Sequence, residues 1–199
     1  MASPVVEKLG QIITRQTAAS PDHARALLMA AYSWVNLAGR FPRPRNVRAA
    51  TERVNGGIAG TIVDSFRHPE NAVMVNIFMP CEILHAMELT PMFPEGISAY
   101  VANTACDEVF VETSESHDIA ETFCSYHKLM IGVAETGIMP RPLMIANTTL
   151  ACDANQLSFP RLAKFYDVPH YVIDVPTTAD EDAVVYVADP VSYTHLRAH

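Results

Sequence analysis

From Ala72 to Met79 the chain is apolar at nearly every position, with Asn76 as the interruption. A short run that is continuous rather than alternating predicts a strand buried on both faces. Leu143–Asn147 and His170–Val175 repeat the pattern. Between and after these runs, helices are expected over Glu82–Glu88, Ser98–Ser114, Ser125–Thr136 and Ala154–Tyr166, with another beginning over Asp180–Ala188. Thr90–Phe93 is a short apolar piece ahead of Pro94-Glu95-Gly96. Strands alternating with helices across short connections predict an α/β fold with a parallel sheet, Rossmann-like or flavodoxin-like.

The upstream third reads differently. Ser3-Pro4 combines an N-cap residue with a proline at the first helical position, and Val5, Leu9, Ile12 and Ile13 follow at helical spacing. Ser20-Pro21 repeats the start signal, Leu27, Leu28, Ala31, Trp34 and Val35 form a second stripe, and Gly39 ends it. Arg40-Phe41-Pro42-Arg43-Pro44-Arg45 reads as a solvated linker, and residues 46–68 as a helix followed by a loop containing Gly56-Gly57. The expected organisation is a helical N-terminal extension over 1–55 and an α/β domain over 56–190. The last nine residues, 191–199, break the pattern and look like translated sequencing adapter, so a non-native tail is expected there and a natural chain that continues.

Composition narrows the function classes. Of the 199 residues, 49% are apolar and 18% charged, enough for a core and too little charge for a disordered chain. A formal charge of −8 argues against a nucleic-acid or anionic-membrane partner, because nothing neutralises phosphates over a broad face. The apolar stretch Leu27–Leu37 is too short and too interrupted to span a bilayer, and no signal peptide is recognisable, so a cytoplasmic location is expected. Cysteines there stay reduced, which leaves catalysis, metal binding or simple burial.

Cys81, Cys106, Cys124 and Cys152 form no CxxC pair, so zinc-finger and ferredoxin spacings are absent. Their places in the pattern are more informative. Cys81 follows the first strand and Pro80, Cys152 lies just past Leu143–Asn147, and Cys124 heads the helix from Ser125. Strand carboxyl ends and helix starts share one edge of an open α/β sheet, where ligands bind, and helix N-termini favour the thiolate that ligates metal. Soft thiolates without a histidine-rich set favour iron–sulfur over zinc. Each cysteine taken alone equally suits a small buried hydrophobe.

Three segments carry a resemblance. Asn76-Ile77-Phe78-Met79-Pro80-Cys81-Glu82-Ile83-Leu84-His85-Ala86-Met87 resembles the first cysteine region of the 2-hydroxyacyl-CoA dehydratase and benzoyl-CoA reductase family. Cys124-Ser125-Tyr126-His127-Lys128 with Gly137-Ile138-Met139-Pro140-Arg141-Pro142 resembles its second, and Ala151-Cys152-Asp153-Ala154-Asn155 with Tyr166-Asp167-Val168-Pro169 its third. Many members place the first cysteine several residues ahead of the proline, where this chain has Asn76; here Cys81 directly follows Pro80.

The resemblance implies a 4Fe-4S cluster held by Cys81, Cys124 and Cys152, with Cys106 left to the core. It implies an oxygen-sensitive lyase that removes water from a 2-hydroxyacyl-CoA thioester through a ketyl radical. Neither the β-proton nor the hydroxyl is reactive enough for side-chain acid–base chemistry alone. A second homologous subunit and a separate ATP-hydrolysing iron–sulfur activator are implied as partners, and this chain has no P-loop. His127, Glu82 and Ser125 are the candidate catalytic groups, with His85 and Asp153 nearby; ordinary roles as helix-start or structural residues fit each of them as well. Two other readings are a benzoyl-CoA reductase-type or other ATP-coupled reductase subunit, and a non-catalytic 4Fe-4S electron-transfer protein.

Overall fold

The computed structural model describes residues 4–41, 49–150 and 152–192. Three helices come first: α1 (Pro4–Ala19), α2 (Pro21–Ala38) and α3 (Ala49–Arg67). A 3-10 turn, Pro69–Asn71, leads into β1 (Ala72–Val75), α4 (Glu82–Ala86), β2 (Thr90–Met92), α5 (Pro94–Ala102), α6 (Asp107–Ser116) and α7 (Ser125–Glu135). Then come β3 (Met144–Thr148), α8 (Asn155–Tyr166), β4 (His170–Ile173) and α9 (Glu181–Ser192). Much of the basic run at 40–45, and residues 193–199 of the expected tail, lie outside the described residues.

All strand pairs are parallel and the order is β2-β1-β3-β4. The chain moves from β1 outward to β2, then returns across β1 to β3. The direction of winding therefore reverses between β1 and β3, the point beside whose carboxyl ends the crevice of an open α/β sheet is expected. Alternation along β1 divides the core. Ala72 and Met74 join the large cluster formed with α1–α3 and α5–α8, while Val73 and Val75 face the smaller cluster with Leu84 of α4 and Val187 of α9. Both faces are covered, which explains strands without polar alternation.

Four expectations change. Thr90–Met92 is a strand, paired with β1 from Ala72↔Thr90 to Met74↔Met92. The helix expected over Ser98–Ser114 is two helices, α5 and α6. They part where Ala105 takes a left-handed φ of 53° and Thr104 Oγ1 donates to the Val101 carbonyl at 2.7 Å. The loop expected around Gly56-Gly57 is the middle of α3, which crosses the expected boundary at residue 55. Gly56 is there for close approach: a Cβ on Gly39 would lie 3.0 Å from its Cα, so the two glycines let α2 and α3 pack closely. Finally, the first strand stops at Val75 rather than running to Met79.

Helix α7 is buried from His127 to Ala134, on all sides, because α5, α6 and α8 surround it. Lys128 is enclosed with it. Its Nζ donates to Glu115 Oε1 at 2.6 Å and to the Glu121 carbonyl at 2.8 Å, so a buried cation ties α7 to α6 and the loop that follows.

Candidate functional site

Asn76 is the first residue past β1, and Thr148 is the last of β3. The Asn76 carboxamide donates through Nδ2 to the Thr148 carbonyl (3.3 Å) and hydroxyl (3.1 Å), and its Oδ1 accepts from the Thr148 N–H at 3.1 Å. Both residues are buried. The polar interruption in an apolar run is thus a clamp across the crevice, continuing the β1–β3 ladder with a side chain where the backbones diverge. Beyond it, Thr149 donates to Asp174 Oδ1 at 3.0 Å and accepts from the Val175 N–H at 2.9 Å, which fixes the loop before Cys152 to the end of β4.

The three candidate ligand cysteines all lie on this edge, on different elements. Cys124 is the N-cap of α7 and exposed; Cys152, half-buried, sits between β3 and α8; Cys81, half-buried, caps α4. Cys152 Sγ lies 3.7 Å from His127 Nε2, and His127 Nδ1 is 2.9 Å from Ser158 Oγ of α8. That joins the second and third cysteine segments through one imidazole. Cys81 is different. It packs against the smaller core across the sheet, its thiol donates to the Met79 carbonyl at 3.3 Å, and burial with the neighbouring Glu82 charge pushes its pKa up. The cause is topological: α4 covers one face of the sheet and α7 with α8 the other.

Among the described residues no three His, Cys, Asp or Glu side chains are grouped closely enough to hold a metal ion. The donor set still suits iron–sulfur chemistry in kind: three reduced thiols on one sheet edge, one of them at the start of an eleven-residue helix. Cys106 lies elsewhere, 2% exposed in the large core, with Thr104 Oγ1 at 2.9 Å from its sulfur.

His127 is buried, and desolvation lowers its pKa, which favours the neutral ring. Glu82 and Ser125 are exposed at the first positions of α4 and α7, as are His85 and Asp153 nearby. Sequence reasoning passed over Glu95, in the first turn of α5. Its side chain is buried, Oε1 accepts from the Ile77 N–H at 3.4 Å, and Oε2 is buried without a partner. Burial raises its pKa to about 7, against two backbone hydrogen bonds that lower it. Pro94-Glu95-Gly96 carries a helix-start signal, a proline followed by an acid, but nothing local marks the burial.

A four-stranded parallel sheet covered by helices on both faces, with its winding reversed between β1 and β3, defines a Rossmann-like α/β protein. Residues 76–194 match the family model described as 2-hydroxyglutaryl-CoA dehydratase, D-component. The match covers more than half of the chain, which belongs to that family and is a component of the 2-hydroxyacyl-CoA dehydratase type. No curated protein matches it. The matched region opens at Asn76, where β1 ends, and contains all three cysteine segments. None of the described helices is long and apolar enough to cross a membrane.

Proposed function

We propose that this chain is the iron–sulfur subunit of a 2-hydroxyacyl-CoA dehydratase, removing water from a 2-hydroxyacyl-CoA thioester by a radical route to give an enoyl-CoA. One observation carries the reading: the family region begins at the carboxyl end of β1 and includes three cysteines that all fall on that same edge. Cys81, Cys124 and Cys152 are the proposed ligands of a 4Fe-4S cluster. When bound, such a cluster supplies single-electron and Lewis-acid chemistry that side chains lack.

The chain's own residues take supporting roles. His127, held by Ser158, places a neutral imidazole against Cys152, where it donates to or accepts from the sulfur. Ser125 and Glu82, exposed at two helix starts on the edge, are proposed to meet the substrate. Recruitment of Cys81 needs its thiol to turn away from Met79. A second homologous subunit and an ATP-hydrolysing activator are the proposed partners, and the cytoplasm the proposed location.

The test is anaerobic turnover. The chain is combined with its companion subunit, the activator, ATP and a 2-hydroxyacyl-CoA, and enoyl-CoA is followed by mass. ATP-dependent enoyl-CoA formation is expected. Reduction of an aromatic acyl-CoA without dehydration of any 2-hydroxyacyl-CoA would place the chain with the reductases instead.

A further inference from the structure

We infer that Glu95 is the positioning residue for the substrate's hydroxyl at the β1–β3 crevice, taking that hydroxyl by a hydrogen bond at Oε2. The inference rests on the dehydratase reading and adds to it a residue outside the three cysteine segments.

The placement is specific. Glu95 is 5% exposed, yet no ion pair among the described residues involves it, and Oε2 is left without any partner. An unsatisfied buried carboxyl oxygen is destabilising, so Oε2 gains from a partner that arrives from outside. Oε1 is held by the Ile77 N–H, on the segment that leaves β1 just beyond the Asn76–Thr148 clamp. The carboxyl is therefore fixed beside the winding reversal. Asn76 cannot serve in its place, because both ends of its carboxamide are already engaged by Thr148.

The surroundings select the class of ligand. Ile77, Phe78 and Tyr126 stand 58%, 43% and 40% exposed around the edge, and the Tyr126 hydroxyl feels the Glu95 charge, which places the two groups near one another. Exposed apolar and aromatic side chains on the edge that also holds this buried carboxyl suit a short acyl chain bearing one hydrogen-bonding substituent. Asn155, the first residue of α8 on the same edge, likewise keeps a buried Oδ1 without a partner, so polar capacity is left unused on both sides of the crevice. With a pKa near 7, Glu95 is able to take a ligand hydroxyl as acceptor or as donor.

The test separates the hydroxyl from the rest of the ligand. Lactoyl-CoA and propanoyl-CoA differ only in the 2-hydroxyl, and their dissociation constants are measured calorimetrically with the whole chain and companion subunit. A hydrogen bond to a charged group is worth ~1.5–3 kcal/mol, so the wild type is expected to prefer lactoyl-CoA by about tenfold or more. In Glu95→Leu the preference falls to about one while propanoyl-CoA binding stays within roughly twofold, a pattern that loss of packing alone does not produce. Glu95→Gln keeps the shape and is expected to reduce the preference to roughly threefold, which covers the case of a Leu variant that fails to fold. A wild-type preference that survives in the variants would overturn the inference and leave the dehydratase reading standing; Oε2 would then be satisfied by water alone. Binding of neither thioester to the wild type would overturn that reading, and the inference with it.

Discussion

Nε2 of His127 lies 3.7 Å from Sγ of Cys152, while Nδ1 of the same ring lies 2.9 Å from Oγ of Ser158. One buried imidazole therefore links the start of α7, the loop after β3 and the first turns of α8. Ser158→Ala removes one of its two tethers and is expected to lower stability by about 1 kcal/mol, read as a shifted urea midpoint at unchanged slope. An unshifted midpoint would mean that the ring is held by packing, through contacts such as the edge-on approach of Phe123.

The clamp between Asn76 and Thr148 gives a larger effect. Truncation to Ala leaves the Thr148 N–H and hydroxyl unpaired in a fully buried position. Asn76→Ala is expected to cost about 2–3 kcal/mol, and the backbone amides near residue 148 to lose protection in hydrogen exchange. A variant as stable as the wild type would show that the strand ends are held together by their ladder alone.

Much of this arrangement was legible from the pattern of residues. Continuous apolar runs located β1, β3 and β4 to within a few residues, because a sheet covered on both faces leaves no polar alternation to confuse the reading. Other elements were set by tertiary structure. β2 is three residues long and contains Pro91, so only pairing with β1 defines it. α3 keeps its helical form through Gly56-Gly57 because the small residues allow the approach of α2, a benefit invisible locally. The break at Ala105 has neither glycine nor proline to announce it.

The site divides along the same line. Cys81, Cys124 and Cys152 were all assigned to the carboxyl edge from their position relative to strands and helices; in the fold Cys124 heads α7 and Cys152 lies between β3 and α8. That Cys81 would face the other side of the sheet follows from which crossover carries α4, which sequence does not state. Asn76 was visible as the polar interruption of an apolar run and Glu95 only within Pro94-Glu95-Gly96, since burial of each depends on neighbours far along the chain.

Packing between α6 and α7 yields a sharper prediction. A Cβ at Gly132 would run into the backbone of Phe110, including its carbonyl oxygen, which cannot yield as a flexible side chain would. Gly132→Ala is therefore expected to destabilise by at least about 1–3 kcal/mol, despite the better helix propensity of alanine. Thermal denaturation followed by circular dichroism reads this directly; a stabilised variant would mean that the two helices sit further apart.

Glu95 makes stability depend on pH in a defined window. Its carboxyl has an ordinary value of 4.5 and rises to about 7 in the fold. The folded state holds the proton more tightly, so the stabilising contribution is complete below pH 4.5. It declines as pH rises, and is lost above about 7. The span corresponds to roughly 3 kcal/mol at 1.36 kcal/mol per unit. Glu95→Gln is expected to remove this slope, so that its stability relative to wild type grows between pH 5 and 8. Parallel pH profiles for the two proteins would contradict the assignment.

The central claim is that Cys81, Cys124 and Cys152 together carry a 4Fe-4S cluster. Its most direct test is anaerobic iron–sulfide reconstitution of the chain with single Cys→Ser changes, reading iron content, visible absorption and electron paramagnetic resonance. The account predicts about four irons per chain in the wild type and in Cys106→Ser. It predicts loss of the 4Fe-4S signature in Cys124→Ser and Cys152→Ser, and a depleted or altered cluster in Cys81→Ser. A full wild-type spectrum retained in both Cys124→Ser and Cys152→Ser would contradict it.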